Sequence, residues 1–126
     1  MMPSDDELLA WAEAATGHRF ADPALLRRAL THSSMGTESY QRLEFLGDRV
    51  LGCAVAAWLY AGHGEAEGKL TARLHALVEG AANARVARRL GVQAHVIMER
   101  KARAAGLAGS DNVLGDIAEA LVAALF

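Results

Sequence analysis

The sequence predicts an all-α domain, and three observations carry that expectation. The two prolines are Pro3 and Pro23, so proline breaks no helix beyond residue 23. Alanine and leucine dominate the remainder, and both are strong helix formers. Apolar residues recur three and four positions apart rather than alternating, which is the period of an amphipathic helix and not of a strand.

Ser4 stands three residues before Glu7, a capping-box spacing, and Leu8, Leu9, Ala12 and Ala15 follow at helical intervals up to Gly17. Asp22-Pro23 opens a second helix carrying Leu25, Leu26, Ala29 and Leu30. Thr31 to Ser39 is polar, contains Gly36 and reads as a connection. Two long central helices are then expected. The first runs from about Tyr40 to Ala61 and is closed by Gly62 and Gly64. The second runs from Gly68 to about Leu90, with Leu70, Leu74, Leu77, Val78, Ala81 and Val86 as its apolar stripe and Gly91 ending it. Val92 to Ser110 reads as a loop with one short helix. The last helix opens near Asp111 and is still apolar at Phe126, with no Gly, Asn, Pro or basic turn to stop it, so a fragment cut within that helix is expected.

A length of 126 residues fits one domain, spanning 1–126, with little room for a second module. With 52% hydrophobic and 22% charged residues the chain is not of the disordered class. A net charge of −2 gives no global footprint for a polyanionic partner, so any nucleic-acid surface must be a local patch. Cys53 has no second cysteine to pair with; it fits a reducing compartment and reads as a buried small hydrophobe. The acidic N-terminus lacks signal-peptide order, and the longest apolar run, Val50 to Gly62, is too short to span a bilayer. A cytoplasmic protein with no membrane partner is expected.

On the first long helix, Leu43, Leu46, Val50, Ala54 and Ala57 fall on the side expected to meet the core. Glu44 and Asp48 are one turn apart on another strip, where like charges at i and i+4 destabilise a helix unless something compensates. On the last helix Asp116 and Glu119 share a face, roughly opposite Leu114, Ile117, Leu121 and Leu125. If the two acidic strips face each other, four carboxylates converge, and an oxygen-only anionic site suits Mg²⁺ or Mn²⁺ rather than zinc. On spacing alone, two solvated acidic strips are the more ordinary outcome, because Asp/Glu pairs are common on helix faces. Phe45 lies away from the Leu43 stripe and needs a partner, either a second copy of the chain or a small helix covering it.

The run Gln41-Arg42-Leu43-Glu44-Phe45-Leu46-Gly47-Asp48-Arg49-Val50-Leu51 closely resembles the signature helix of the ribonuclease III endonuclease domain. Leu30-Thr31-His32-Ser33, Glu67-Gly68-Lys69-Leu70 and Val113 to Leu121 follow the same family's order. The resemblance implies Glu44, Asp48, Asp116 and Glu119 as metal ligands, with Asp48 and Glu119 catalytic and Mg²⁺ as cofactor, Mn²⁺ substituting. It implies Phe45 as a knob in a partner's socket, hence a homodimer. It also implies hydrolysis of double-stranded RNA to 5′-phosphate and 3′-hydroxyl ends, in rRNA or mRNA maturation. Gln41 departs from the family, which usually has another glutamate there, and no double-stranded-RNA-binding domain fits after Phe126. Those departures motivate a second reading, a catalytically weak homodimeric RNA-binding module.

Five histidines, His18, His32, His63, His75 and His95, show no paired metal-ligand spacing, and His32 reads as a brace for the signature helix. Ser33 and Ser34 beside His32 lack a nucleophile elbow. Arg85, Arg88 and Arg89 form a basic last turn that either meets phosphates or complements the helix dipole. Arg100, Lys101 and Arg103, in the irregular segment, are the better expectation for an RNA-backbone patch.

Overall fold

Residues 2–36 and 38–126 are described by the computed structural model. Helices α1 (Asp5–Thr16), α2 (Pro23–Ala29), α3 (Gln41–Gly62), α4 (Glu67–Val78), α5 (Gly80–Leu90), α6 (Arg100–Ala104) and α7 (Asp111–Leu125) form the all-α architecture expected. The N-terminal signals work as read. Ser4 Oγ accepts from the Glu7 amide at 3.1 Å, and Gly17 closes α1 at φ 75. Asp22 Oδ1 accepts from the Ala24 amide at 2.9 Å ahead of Pro23.

α7 is the most deeply buried element. Val113, Leu114, Gly115, Ile117, Ala118, Ala120, Leu121 and Ala123 are all buried, and the helix is held between α3 and α5, with α2 also against it. Leu8, Leu26, Leu30, Val92, Leu114 and Ile117 are the largest side chains wholly removed from water. An apolar helix this long persists in water because neighbours cover it on several sides.

The second expected long helix is two helices. Glu79 adopts extended backbone (φ −66, ψ 160) between α4 and α5, and the Asn83 side chain donates to the freed Val78 carbonyl at 3.1 Å. Gly80 beyond the bend is a poor helix former, and the change of direction lays α5 onto α7. The expected stripe fails with it. Leu70, Leu74 and Val78 are half-buried, Leu77, Ala81 and Val86 are exposed, and Asn83, Ala84 and Ala87 take the inner positions.

On α3 the expected core face also shifts. Leu43 is buried, but Leu46 is 41% exposed, Val50 is half-buried, and Ala54 and Ala57 are exposed, while Gly47 and Leu59 lie inside. Cys53 is exposed rather than buried, because α3 meets its neighbours through a face centred on Gly47. Leu125 at the end of α7 is exposed as well.

Val92 to Ser110 holds α6 and two 3₁₀ turns, Val92–His95 and Leu107–Gly109. Its apolar piece, Val96 to Met98, is extended and buried. Thr31 and Ile97 form an isolated parallel bridge, with the Ile97 amide donating to Leu30 O and the His32 amide to Ile97 O, each at 2.8 Å. The Tyr40 amide donates to Thr31 O at 2.9 Å, so this short ladder also anchors the start of α3. No helix is long and apolar enough to cross a membrane among the described residues.

Leu26, fully buried, and Val86, half exposed, separate real from apparent core positions. Leu26→Ala is expected to cost about 2–5 kcal/mol in urea unfolding, whereas Val86→Ala is expected to stay within about 0.5 kcal/mol.

Candidate metal centre

Gly47, buried in the second turn of α3, faces the backbone of α7. A Cβ added there would lie 1.7 Å from the carbonyl oxygen of Glu119 and 3.3 Å from the Ala123 amide nitrogen. No residue with a side chain allows the two helices this near. The closeness matters because Glu44 and Asp48 flank Gly47 on α3 while Asp116 and Glu119 lie on the facing part of α7.

One carboxylate oxygen from each of Glu44, Asp116 and Glu119 lies within 4.8 Å of the others, and all three side chains are half-buried. Among the described residues no arginine or lysine pairs with any of them. Burial pushes Glu44 up from 4.5 to about 7, helped by a hydrogen bond with Asp116 and by repulsion from Asp116 and Asp48. Burial likewise raises Glu119 to about 8, helped by a hydrogen bond with Asp48 and by the neighbouring acids. Asp116 is raised by burial, offset in part by its hydrogen bond with Glu44.

The acids thus form two carboxyl–carboxylate pairs across the helix interface, Glu44 with Asp116 and Asp48 with Glu119. Three of the four sequence-predicted acids make the tight cluster. Asp48 is exposed, joins through Glu119, and accepts from Arg49 Nη1 at 2.8 Å. A set of close carboxylates without a cation must either keep protons or bind a positive ion. Hard oxygen donors gathered this closely suit a hard cation rather than a soft one.

A family model described as Ribonuclease-III-like matches residues 22–126. The chain belongs to the ribonuclease III family. It is 51% identical over 124 residues to Ribonuclease 3 of Zymomonas mobilis, covering 98% of this chain and 50% of that protein. Ribonuclease 3 of Rhodobacter capsulatus is 46% identical over 114 residues, with 87% and 50% covered. The chain therefore spans about half the length of these curated relatives. The nuclease domain of ribonuclease III from Campylobacter jejuni matches with a TM-score of 0.87 at 32% identity, covering 92% of this chain and 82% of that one. That structure is described as having structural flexibility in the region involved in dimer formation.

Other sequence-predicted residues of this ribonuclease III domain lie apart from the acid cluster. Phe45 is 64% exposed, with no helix over it among the described residues; the Arg49 guanidinium lies 4.3 Å from its ring centre. Beside it runs a groove lined by Arg28, Gln41, Arg42, Leu43 and Leu46. Arg100 and Lys101 on α6 are exposed, whereas the Arg103 guanidinium is tied to the Val96 carbonyl. Arg88 is held by Asp111 at 2.5 Å and by the Gly109 carbonyl at 3.0 Å, leaving Arg85 and Arg89 exposed on α5. His32 accepts from the Ser34 amide at 3.0 Å through Nδ1 and meets Tyr40 edge-on, a structural role.

Sequence reasoning missed Tyr40 and Gly47. Tyr40 is buried and its hydroxyl is pushed up to about 12 by burial and by the charges of Asp116 and Glu44, so it stays neutral beside the acids. Gly47 carried a readable signal: a glycine inside a strongly helical run costs about 1 kcal/mol against alanine and usually has a packing reason.

Gly47→Ala is expected to destabilise the domain by at least about 3 kcal/mol, at the upper end of overpacking. Gly68→Ala in α4, where an added Cβ meets nothing within 4 Å, is expected to stabilise by roughly 0.5–1 kcal/mol. Urea midpoints of the two variants check this contrast.

The raised carboxyl groups also set a pH dependence. Between about 4.5 and about 8 the folded metal-free protein holds protons that the unfolded chain has released. Their contribution is fully present below the unfolded value and is lost as pH rises through the folded values. Melting temperature in EDTA should therefore fall from about pH 5 to about pH 8, and less steeply for Glu119→Gln. A profile identical in both proteins would contradict the shifts.

Proposed function

We propose that this domain is a divalent-metal-dependent endoribonuclease that hydrolyses phosphodiester bonds of double-stranded RNA. It acts as a homodimer in the cytoplasm and leaves 5′-phosphate and 3′-hydroxyl ends during RNA maturation. The observation that carries this reading is the convergence of Glu44, Asp116 and Glu119 within 4.8 Å, with no arginine or lysine paired to them among the described residues. Membership of the ribonuclease III family supports it.

Glu44, Asp116 and Glu119 would hold Mg²⁺, or Mn²⁺ in its place, with Asp48 at the rim beside Glu119. A bound divalent cation supplies a water of lowered pKa and stabilises charge on the departing oxygen. The four side chains fix the geometry: two from α3 and two from α7, each supported on a helix rather than a loop. Glu119 and Glu44 would have to release their protons to hold a cation, so metal affinity should rise with pH across the range in which they titrate. Asp48 and Glu119, open to solvent on one side, would meet the scissile phosphate and accept or return a proton there. No protein nucleophile is required.

Phe45 fits a partner subunit's surface, since an aromatic side chain 64% exposed beside an apolar groove gains from burial in a second copy. Arg100 and Lys101, exposed on α6, are the proposed contacts to RNA phosphates. A catalytically weak RNA-binding module, suggested by Gln41, makes a different prediction, namely retention of the duplex without cleavage.

Purified protein with a long RNA duplex at low salt should cleave with Mg²⁺ and not with EDTA. Asp116→Asn and Glu119→Gln should lose more than the roughly 10- to 100-fold that removal of a ligand's outer partner costs. Equal cleavage in every sample would overturn the reading, and binding without cleavage in Mg²⁺ would favour the RNA-binding module. Phe45→Ala should shift sedimentation from dimer to monomer, and an unchanged dimer would remove the interface assignment.

A further inference from the structure

The bend between α4 and α5 lies behind the acid cluster, on the far side of α7. Gly115, the residue before Asp116, is buried there against the first turn of α5. A Cβ added at Gly115 would lie 3.0 Å from the Gly80 carbonyl oxygen, 3.7 Å from the Ala84 amide nitrogen and 3.7 Å from Asn83 Cβ. The sequence Leu-Gly-Asp occurs twice, at residues 46–48 and 114–116, and each glycine rests on the backbone of a neighbouring helix immediately before one of the four acids, Asp48 at the rim and Asp116 within the cluster. Gly47 sets α3 on α7; Gly115 sets α7 on α5.

What holds the first turn of α5 in place is Asn83. This polar side chain is 6% exposed, and its amide donates to the Val78 carbonyl at 3.1 Å, across the extended Glu79. The last carbonyls of a helix have no partner within it, and a buried one must be satisfied from elsewhere. The Asn83 backbone amide also donates to Glu79 O at 3.0 Å, so one residue closes both sides of the bend. A leucine in that place has the same branched outline and number of side-chain heavy atoms but no donor, so the Val78 carbonyl loses this partner and the bend opens.

We infer that Asn83 is a positioning residue for Asp116, acting through the α4–α5 bend and the contact of Gly80 with Gly115, an inference that rests on the metal-site reading above. Displacement of the first turn of α5 transmits directly to Gly115 because backbone meets backbone, with no flexible side chain to absorb it. Asp116 then leaves its pairing with Glu44, and the site loses cation affinity while the RNA-facing surface of α6 is untouched.

The test measures Mn²⁺ affinity by electron paramagnetic resonance, with RNA-duplex KM and melting temperature measured alongside. The proteins are wild type, Asn83→Leu, Gly115→Ala and Leu8→Ala, the last a core variant in α1 remote from the bend. Asn83→Leu and Gly115→Ala should weaken Mn²⁺ binding several-fold, below the roughly 10-fold or more expected for a ligand's direct partner, with duplex KM unchanged. Leu8→Ala should lower the melting temperature without moving Mn²⁺ affinity. Equal Mn²⁺ affinity in wild type and Asn83→Leu would overturn the positioning role alone, as would an equal loss in Leu8→Ala. Absence of Mn²⁺ binding in the wild type would overturn the metal-site reading and this inference with it.

Discussion

Two helix backbones touch at Gly47, and the rest of the candidate site depends on that contact. Elsewhere helices are usually spaced by interdigitating side chains, at 8–10 Å between axes. Here a missing side chain brings the α3 backbone onto the Glu119 carbonyl, and the acids on either side of Gly47 are carried to those of α7. The result is electrostatically unfavourable for a bare protein. Half-buried carboxylates repel and are desolvated together, so they retain protons near neutral pH. The core of α7 bears that cost, because Leu114, Ile117 and Leu121 keep the helix in place whatever the acids do.

This division of labour explains why the site sits where it does. α7 is buried between α3 and α5, so it cannot swing away from its neighbours, and its Asp116 and Glu119 lie together with Glu44 of α3. The ladder of Leu30, Thr31 and His32 with Ile97 fixes the start of α3, and Tyr40 is buried at that junction as a neutral hydroxyl near Asp116 and Glu44. A rigid frame under a repulsive cluster is the arrangement expected of a preorganised cation site.

Much of this was legible in the residues. The all-α class followed from the proline positions and the apolar period, and the starts of α1 and α2 followed from Ser4 and Asp22 because capping is local chemistry; α7 opens at Asp111 as expected, with Ser110 as its cap. The family followed from the run around Glu44 to Asp48. What periodicity could not give was which face of α3 is inside: it follows the large apolar residues, whereas the contact is made by a glycine. For the same reason Leu46, Ala54, Ala57 and Cys53 were assigned inward although they are exposed. The break at Glu79 is not legible from periodicity because no proline marks it and a lone glycine such as Gly80 is tolerated within a helix; the bend rests on the local Asn83–Val78 hydrogen bond and the contact of Gly80 with Gly115. Asp48 shares the helical spacing of the other acids, yet it lies outside the tight cluster, at its rim beside Glu119.

The central claim is that the α3–α7 contact assembles one cation site from both helices. Crystals soaked in Mn²⁺ and measured at the manganese absorption edge test it directly. The account predicts an anomalous peak within coordination distance of Glu44, Asp116 and Glu119 together. A peak bound by acids of one helix only, or no peak among these residues at saturating Mn²⁺, would contradict it.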